Sequence, residues 1–131
     1  FRLEKKILQP KAVPKPISSY SQGVKVKGGH FLFLSGQVPV NAEGNLVGKG
    51  DIRAQTRQVF ENLKALLEEG GGSLENIVKL TVFLRNIEDY KAFVETRSQC
   101  IRKDYPASTL VAIKDLVNKD WLVEVEAIAV I

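Results

Sequence analysis

Cysteine and histidine are nearly absent from this sequence. Cys100 is the only cysteine in 131 residues, so no disulfide can form within the chain, and a cysteine-based zinc site would lack ligands. His30 is the only histidine and lies far from Cys100 in sequence, so no cysteine–histidine dyad is expected. We interpret Cys100 as a packing or surface thiol and expect a reducing, cytoplasmic location.

Long apolar runs are also missing. No stretch approaches the length of a membrane span, and no apolar region typical of a signal peptide is recognisable. The chain is 44% hydrophobic and 26% charged, which is ordinary for a soluble globular protein, and its length suits one domain over residues 1–131. The sequence therefore predicts a single soluble domain without membrane contact.

Acidic residues are scarce near the N-terminus. Residues 1–27 contain seven Lys or Arg and a single acidic residue, Glu4, whereas the whole chain has a net charge of +4. Such a segment could meet phosphates, but lysines scattered along edge strands usually prevent edge-to-edge pairing. Aromatic residues that would stack on bases are sparse in this run. The basic segment therefore gives nucleic-acid binding only slight support.

Common catalytic motifs are absent as well. The sequence has no phosphate loop, no HExxH, no Gly-x-Ser-x-Gly and no dinucleotide fingerprint. The glycine triplet at 70–72 follows a helical pattern instead of preceding one, so it is typical of a helix end and not of an anion site.

The periodicity predicts six strands and two helices in the order β-β-β-α-β-α-β-β. Asp51 is a plausible N-cap for the first helix, which ends at Gly70, and Gly28-Gly29 favours a hairpin between the second and third strands. The second helix has Tyr90, Phe93, Val94, Arg97 and Ile101 near one stripe. After the first strand, the seven remaining elements are predicted at 22–27, 30–35, 51–70, 76–85, 88–103, 108–113 and 121–131.

Two helices can cover only one face of such a sheet, which makes an α+β layer. The strands at 76–85 and 121–131 have apolar residues on both sides, so we expect a second subunit to cover the other face. One of these strands also has two carboxylates, Glu124 and Glu126, on the same face. They predict either a structural ion pair at a subunit interface or, for a desolvated carboxylate, a group that orients water.

Several collinear segments make the chain resemble the Rid/YjgF family of reactive-intermediate deaminases. The matching segments are YSQG (20–23), SGQVP (35–39), QTRQVFEN (55–62), VKLTVFL (78–84), YPA (105–107) and VEVEAIA (123–129). The resemblance covers almost the whole chain, and motifs in a shared order are more specific than any one of them.

The resemblance implies a chorismate-mutase-like fold, with a six-stranded mixed sheet and two helices on one face. It further implies a homotrimer around a central β-barrel, with a small-molecule cleft between neighbouring subunits. Members with deaminase activity hydrolyse enamines and imines, such as 2-iminobutanoate and 2-iminopropanoate, without metal or organic cofactor. An imine carbon is already electrophilic, so the protein need only hold the substrate, position water and stabilise charge.

Position by position, the resemblance implies catalytic roles for Tyr20 and Glu124 and substrate contacts at Ser35 and Gly36. The family's substrate-gripping arginine follows Pro-Ala, where this chain has Ser108-Thr109. A serine hydroxyl cannot replace two charge-assisted hydrogen bonds.

Two further departures lie at Val94, where asparagine is frequent, and at Ser18-Ser19, where Gly-Pro is usual. Two functions therefore stay open. In the first, the protein is an imine hydrolase in which another cation, Arg97 or Lys114, supplies the missing charge. In the second, it is a trimer that binds a less acidic metabolite without turnover. The resemblance also brings a third hypothesis, RNA binding or endoribonuclease-type activity, which we rank last.

Overall fold

The computed structural model describes residues 3–131. Within this range the six strands and two α-helices follow in the predicted order. They are β1 (Glu4–Leu8), β2 (Gly23–Lys27), β3 (Phe31–Gln37), α1 (Ile52–Glu69), β4 (Ile77–Leu84), α2 (Tyr90–Cys100), β5 (Ala107–Ala112) and β6 (Val123–Val130).

Helix α1 begins and ends where its sequence signals lie. Asp51 accepts a hydrogen bond from the backbone N–H of Ala54 at 3.1 Å, which confirms it as the N-cap. The Gly70 N–H closes the last turn on Leu66 O, so the predicted end is also confirmed. The apolar stripe of α1 enters the core through Val59, Phe60, Leu63 and Leu67.

The main sheet has four strands in the order β3-β6-β4-β5, with β4 antiparallel to β6 and parallel to β5. Both helices pack on one face of it, where Leu80, Val82 and Val125 are completely buried. On the other face, Phe31 and Phe33 are 65% and 75% exposed. This arrangement confirms the α+β fold with two helices on one face.

Strand β4 contains a bulge that the alternation pattern did not reveal. Ile77 pairs with Ala129 and Lys79 with Ile128, so one residue of β4, Val78, has no partner of its own. The extra residue reverses the alternation. Ile77 is therefore buried with the core, whereas strict period two had put it on the face away from Leu80.

Helix α2 is shorter than the predicted 88–103. A 3-10 turn at Ile87–Asp89 precedes it, and the helix ends at Cys100 because Ile101 turns to an extended conformation and is buried in the core. Asp104 then adopts a positive φ of 49°, which leads the chain back into β5.

The predicted hairpin between the second and third strands is wrong, although Gly28 and Gly29 have the expected positive φ angles of 85° and 83°. Strand β2 pairs with β1, whereas β3 pairs with β6. The six strands therefore form a two-stranded and a four-stranded sheet instead of one six-stranded sheet. The hydrogen bonds explain this, because His30 exchanges backbone bonds with Ile131 at the end of β6, while β2 is held at the other edge of the main sheet.

Residues 4–27, called here the arm, are anchored beside β5. Ser21 forms a parallel bridge with Ala107, and its hydroxyl donates to Tyr105 O. Lys5 Nζ donates to Asp104 O at 2.9 Å and to Glu75 O and Ile77 O, both at 3.4 Å. The arm therefore crosses the end of the sheet where α2 and β5 meet.

Candidate functional site

Arg97 of α2 lies at the centre of a cluster of hydroxyl groups. Its Nε donates to Ser19 Oγ at 3.2 Å, and its Nη2 donates to Ser18 Oγ at 3.2 Å. Its Nη1 donates to Ser108 Oγ at 3.3 Å. Ser18 and Ser19 belong to the arm and Ser108 to β5, so three separate segments meet at one guanidinium.

The sheet register places Ser108 on the same side as Arg97. Ser108 is paired with the buried Leu80 in the parallel β4–β5 ladder, so its side chain faces the helices. Below the guanidinium lies the ring of Phe93, with its centroid 5.4 Å from Arg97 Cζ. Ser98 donates to Ser19 Oγ at 2.8 Å, which fixes that acceptor beside Arg97.

Arg97 is a buried cation without a carboxylate partner in the described part of the chain. Only 2% of its surface is exposed, and the ion pairs found in residues 3–131 are Arg53–Glu95 and Arg85–Asp115. Burial lowers the pKa of Arg97, although the neighbouring tyrosines Tyr90, Tyr20 and Tyr105 oppose this shift. A guanidinium stays protonated in proteins, so the cluster is an uncompensated positive site suited to an anion.

A cavity of about 370 Å³ opens next to this cation. Tyr20 and Tyr90 line it together with Arg97, Ser18 and Ser108. The Tyr90 hydroxyl also donates to Ser18 Oγ at 3.4 Å, so the polar end of the cavity is hydrogen-bonded throughout. The volume lies within the range of small-molecule pockets.

Glu124 lies on the opposite face of the sheet. It is cross-strand from Phe83 and lines a cavity of about 270 Å³ with Asp115 and Val117. Burial raises the pKa of Glu124, and the charge of Glu126 adds to this effect. Glu126 itself is exposed.

Gly36 lies beside Glu124, and Ser35 precedes Gly36 in the chain. Ser35 and Gly36 occupy the register shift between Leu34 and Gln37, where β3 departs from its ladder with β6. A Cβ at Gly36 would collide with the Glu124 carboxylate, so glycine is required for this close approach. Gly36 and Glu124 are thus brought together on this face, and Ser35 is the residue that precedes Gly36 in β3.

Thr109 and Lys114 do not join either group. Thr109 is exposed on the open face of the sheet and accepts a hydrogen bond from Lys79 Nζ at 2.8 Å. Lys114 is exposed in the segment after β5 and lines neither cavity. Of the two candidate cations, only Arg97 lies next to Ser108.

The predicted residues therefore form two groups on opposite faces of one sheet. Arg97, Ser108 and Tyr20 form the first, and Ser35, Gly36 and Glu124 form the second. In the sequence, Ser18 and Ser19 stood out only as departures from the family pattern. Tyr90 and Ser98 were not predicted to belong to a site. The available signal was Arg97 itself, a charged residue in the apolar stripe of α2.

The α+β fold, with both helices on one face of the sheet, defines the structural class of the chain, and comparison with known proteins identifies its family. The family model described as Endoribonuclease L-PSP matches residues 10–131. The chain belongs to this family, which is the Rid/YjgF family, so the resemblance in the sequence is confirmed.

The chain is similar to proteins of known sequence along nearly its whole length. A RutC family protein of Pyrococcus abyssi is 42% identical, covering 97% of this chain and 98% of the relative. A 2-iminobutanoate/2-iminopropanoate deaminase of Dermatophagoides farinae is 35% identical, covering 97% of each.

Among solved structures, the Rid-family protein YyfB of Yersinia pestis superposes with a TM-score of 0.89 at 28% identity. This match covers 97% of this chain and 98% of that one. No helix among residues 3–131 has the length and apolar character needed to cross a bilayer.

Proposed function

We propose that this Rid-family protein hydrolyses 2-imino acids, with Arg97 taking over the role of the arginine that the family has at position 108. The observation that carries the proposal is the 3.3 Å contact between Arg97 Nη1 and Ser108 Oγ. In this proposal a guanidinium from α2 serves the family's anion position in place of one from β5. Two of the other departures, Ser18 and Ser19, supply the hydroxyls that hold it.

In this reaction the Arg97 guanidinium binds the substrate carboxylate. Because the carboxylate is charged, it accepts stronger hydrogen bonds than a serine hydroxyl does. Water then adds to the imine carbon, and the tetrahedral adduct expels ammonia to leave a 2-oxo acid. The two steps consume one water and need no oxidant or reductant. Tyr20 lines the cavity beside Arg97, which supports a role for it in contacting the reacting group.

Glu124 orients the water in this proposal, but it lies across the sheet from Arg97 in one chain. We therefore propose that a neighbouring copy supplies Glu124, in a homotrimer whose cleft joins the Arg97 face of one subunit to the Glu124 face of the next. The exposed Phe31 and Phe33 on the open face of the sheet support such an assembly, because an adjoining subunit would cover them.

The test moves the positive charge. Imino acids are generated with an amino-acid oxidase, and their loss is followed by trapping the surviving imine with semicarbazide. Arg97→Met removes two charge-assisted bonds to the substrate and should lower kcat/KM about 100-fold. The double variant Arg97→Ser, Ser108→Arg returns the guanidinium to the family position and should recover much of the activity.

Arg57→Met removes the same charge from the exposed side of α1 and should leave the rate unchanged. Arg97→Lys keeps a positive charge but lacks the bidentate geometry of a guanidinium, so it should give an intermediate rate. This variant provides the test if Arg97→Met fails to fold. Wild-type protein that does not accelerate imine loss would refute the hydrolase. If that same protein bound uncharged carbonyl or amide metabolites in preference to 2-oxo acids, the result would favour the trimer that binds a less acidic metabolite without turnover.

A further inference from the structure

The cavity beside Arg97 is chemically asymmetric. Its polar lining consists of the guanidinium, the hydroxyls of Ser18 and Ser108 and the amide side chain of Gln22, whereas the rest of its wall is contributed by apolar and aromatic side chains. These side chains are Ile17, Tyr20, Ile87, Tyr90 and Leu110. Arg97 is the single charged residue lining this cavity among the described residues.

Two of the apolar wall residues are not explained by folding. Ile17 and Ile87 are 85% and 53% exposed, so neither contributes much to the core. They come from different segments, the arm and the 3-10 turn before α2, yet they border the same cavity. Apolar side chains that converge on a cavity from separate elements are typical of a binding wall.

We infer that the Arg97 cavity selects monoanionic 2-imino acids with a bulky apolar side chain and disfavours those with a second carboxylate. This inference rests on the proposed function, since it names the substrate class of the same site. The single guanidinium holds one carboxylate. A second carboxylate would lie against tyrosine and isoleucine side chains without a cation to compensate its lost hydration.

The volume of the cavity fits imino acids with a bulky apolar side chain. A cavity of about 370 Å³ is much larger than a substrate with a methyl side chain needs, so the space beyond the carboxylate is available for an apolar tail. Each methylene that is buried there should tighten binding about fourfold. The smallest imino acids would leave that part of the wall unused.

The experiment measures binding of stable 2-oxo acids by titration calorimetry, so that it does not depend on turnover. The probes are pyruvate, 4-methyl-2-oxopentanoate and 2-oxoglutarate. We expect 4-methyl-2-oxopentanoate to bind at least about tenfold more tightly than either of the others. Equal affinities for all three, or a preference for 2-oxoglutarate, would overturn the inference.

The variant Ile87→Lys provides a gain-of-function test. It adds a cation to the apolar side of the cavity at a half-exposed position, where folding should tolerate it. We expect 2-oxoglutarate binding to improve about tenfold and 4-methyl-2-oxopentanoate binding to weaken. Leu66→Lys is the matched control, because it places the same charge on a partly exposed leucine of α1 that does not line this cavity and should change neither affinity.

The inference and the proposed function fail in different ways. A protein that binds the branched acid preferentially but does not hydrolyse imines would refute the hydrolase and support the ligand class. A protein that hydrolyses imines without regard to side chain would support the hydrolase and refute the ligand class. If Ile87→Lys left the affinity for 2-oxoglutarate unchanged, Ile87 would not be part of the binding wall.

Discussion

Arg97 differs from the arginines that the structure pairs with acids. Arg85 and Arg53 reach carboxylates at 2.7 Å and 2.9 Å, so their charges are compensated within the chain. Arg97 is more deeply buried, yet it contacts hydroxyl groups and the face of an aromatic ring. Hydroxyls satisfy its hydrogen bonds but leave its charge uncompensated, which is the physical basis for assigning an anion to this site.

The Glu124 carboxylate should reduce the stability of the fold as pH rises. Its pKa in the folded state is raised by burial and by Glu126, so ionising it is harder in the folded protein than in the unfolded chain. Glu124→Gln should therefore be more stable than wild type at about pH 8 and equal to it at pH values below about 4. Because most of the group is solvated, we expect a gain below about 1 kcal/mol.

Urea unfolding across this pH range measures the difference. Glu43→Gln, in an exposed loop, removes the same charge and should give no pH-dependent gain. A Glu124→Gln protein that is less stable than wild type at about pH 8 would show that the surroundings stabilise the ionised carboxylate, which contradicts a destabilising effect of burial.

Among the elements, those defined by local signals were predictable. Asp51 and Gly70 delimit α1, and its apolar stripe has the helical period, so neighbouring residues alone determine it. The bulge at Val78 was not predictable, because it depends on how β4 meets β6 across many intervening residues. The same applies to the arm, whose position depends on Lys5 and Ser21 meeting backbone carbonyls about 70 to 100 positions further along the chain.

The candidate site was likewise predictable from the sequence only in part. The missing arginine at Ser108 made Arg97 and Lys114 the two candidate replacement cations, and nothing in the sequence favoured one over the other. That choice required the β4–β5 register, which turns Ser108 toward α2. The sequence also could not show that Glu124 lies on the other face, since the alternation of β6 does not reveal which side the helices cover.

Lys5 anchors the arm, so its loss should loosen the arm and weaken substrate binding. Its ammonium donates to three backbone carbonyls, and burial lowers its pKa. Lys5→Met should accelerate amide exchange in residues 4–27 about fivefold and raise KM, because the arm carries Ser18 and Tyr20. We expect kcat to change little once substrate holds the arm closed.

Hydrogen exchange read by mass spectrometry, together with steady-state kinetics, tests this expectation. Lys6→Met removes the adjacent lysine, which is exposed, and should have no effect on either measurement. Lys5→Arg should restore the anchoring in part. Exchange that rises equally in the arm and in β4 would mean that Lys5 stabilises the whole fold and does not act specifically on the arm.

At the scale of the whole molecule, the proposed cleft requires two copies of the chain. Arg97 and Glu124 face opposite sides of one sheet, so a chain cannot bring its own pair together without unfolding that sheet. A closed ring of three subunits would create three equivalent clefts, each with one group from either neighbour. Native mass spectrometry should therefore find a trimer at micromolar concentration.

Mixed trimers test whether the two groups act across the interface. Arg97→Met and Glu124→Gln homotrimers each lack one group in every cleft, so both should be nearly inactive. When both chains are coexpressed in equal amounts, each mixed trimer contains one cleft with both groups intact. Random assembly then predicts recovery to about one quarter of wild-type activity. Mixed trimers that are confirmed by mass but show no recovery would mean that Arg97 and Glu124 do not share a cleft.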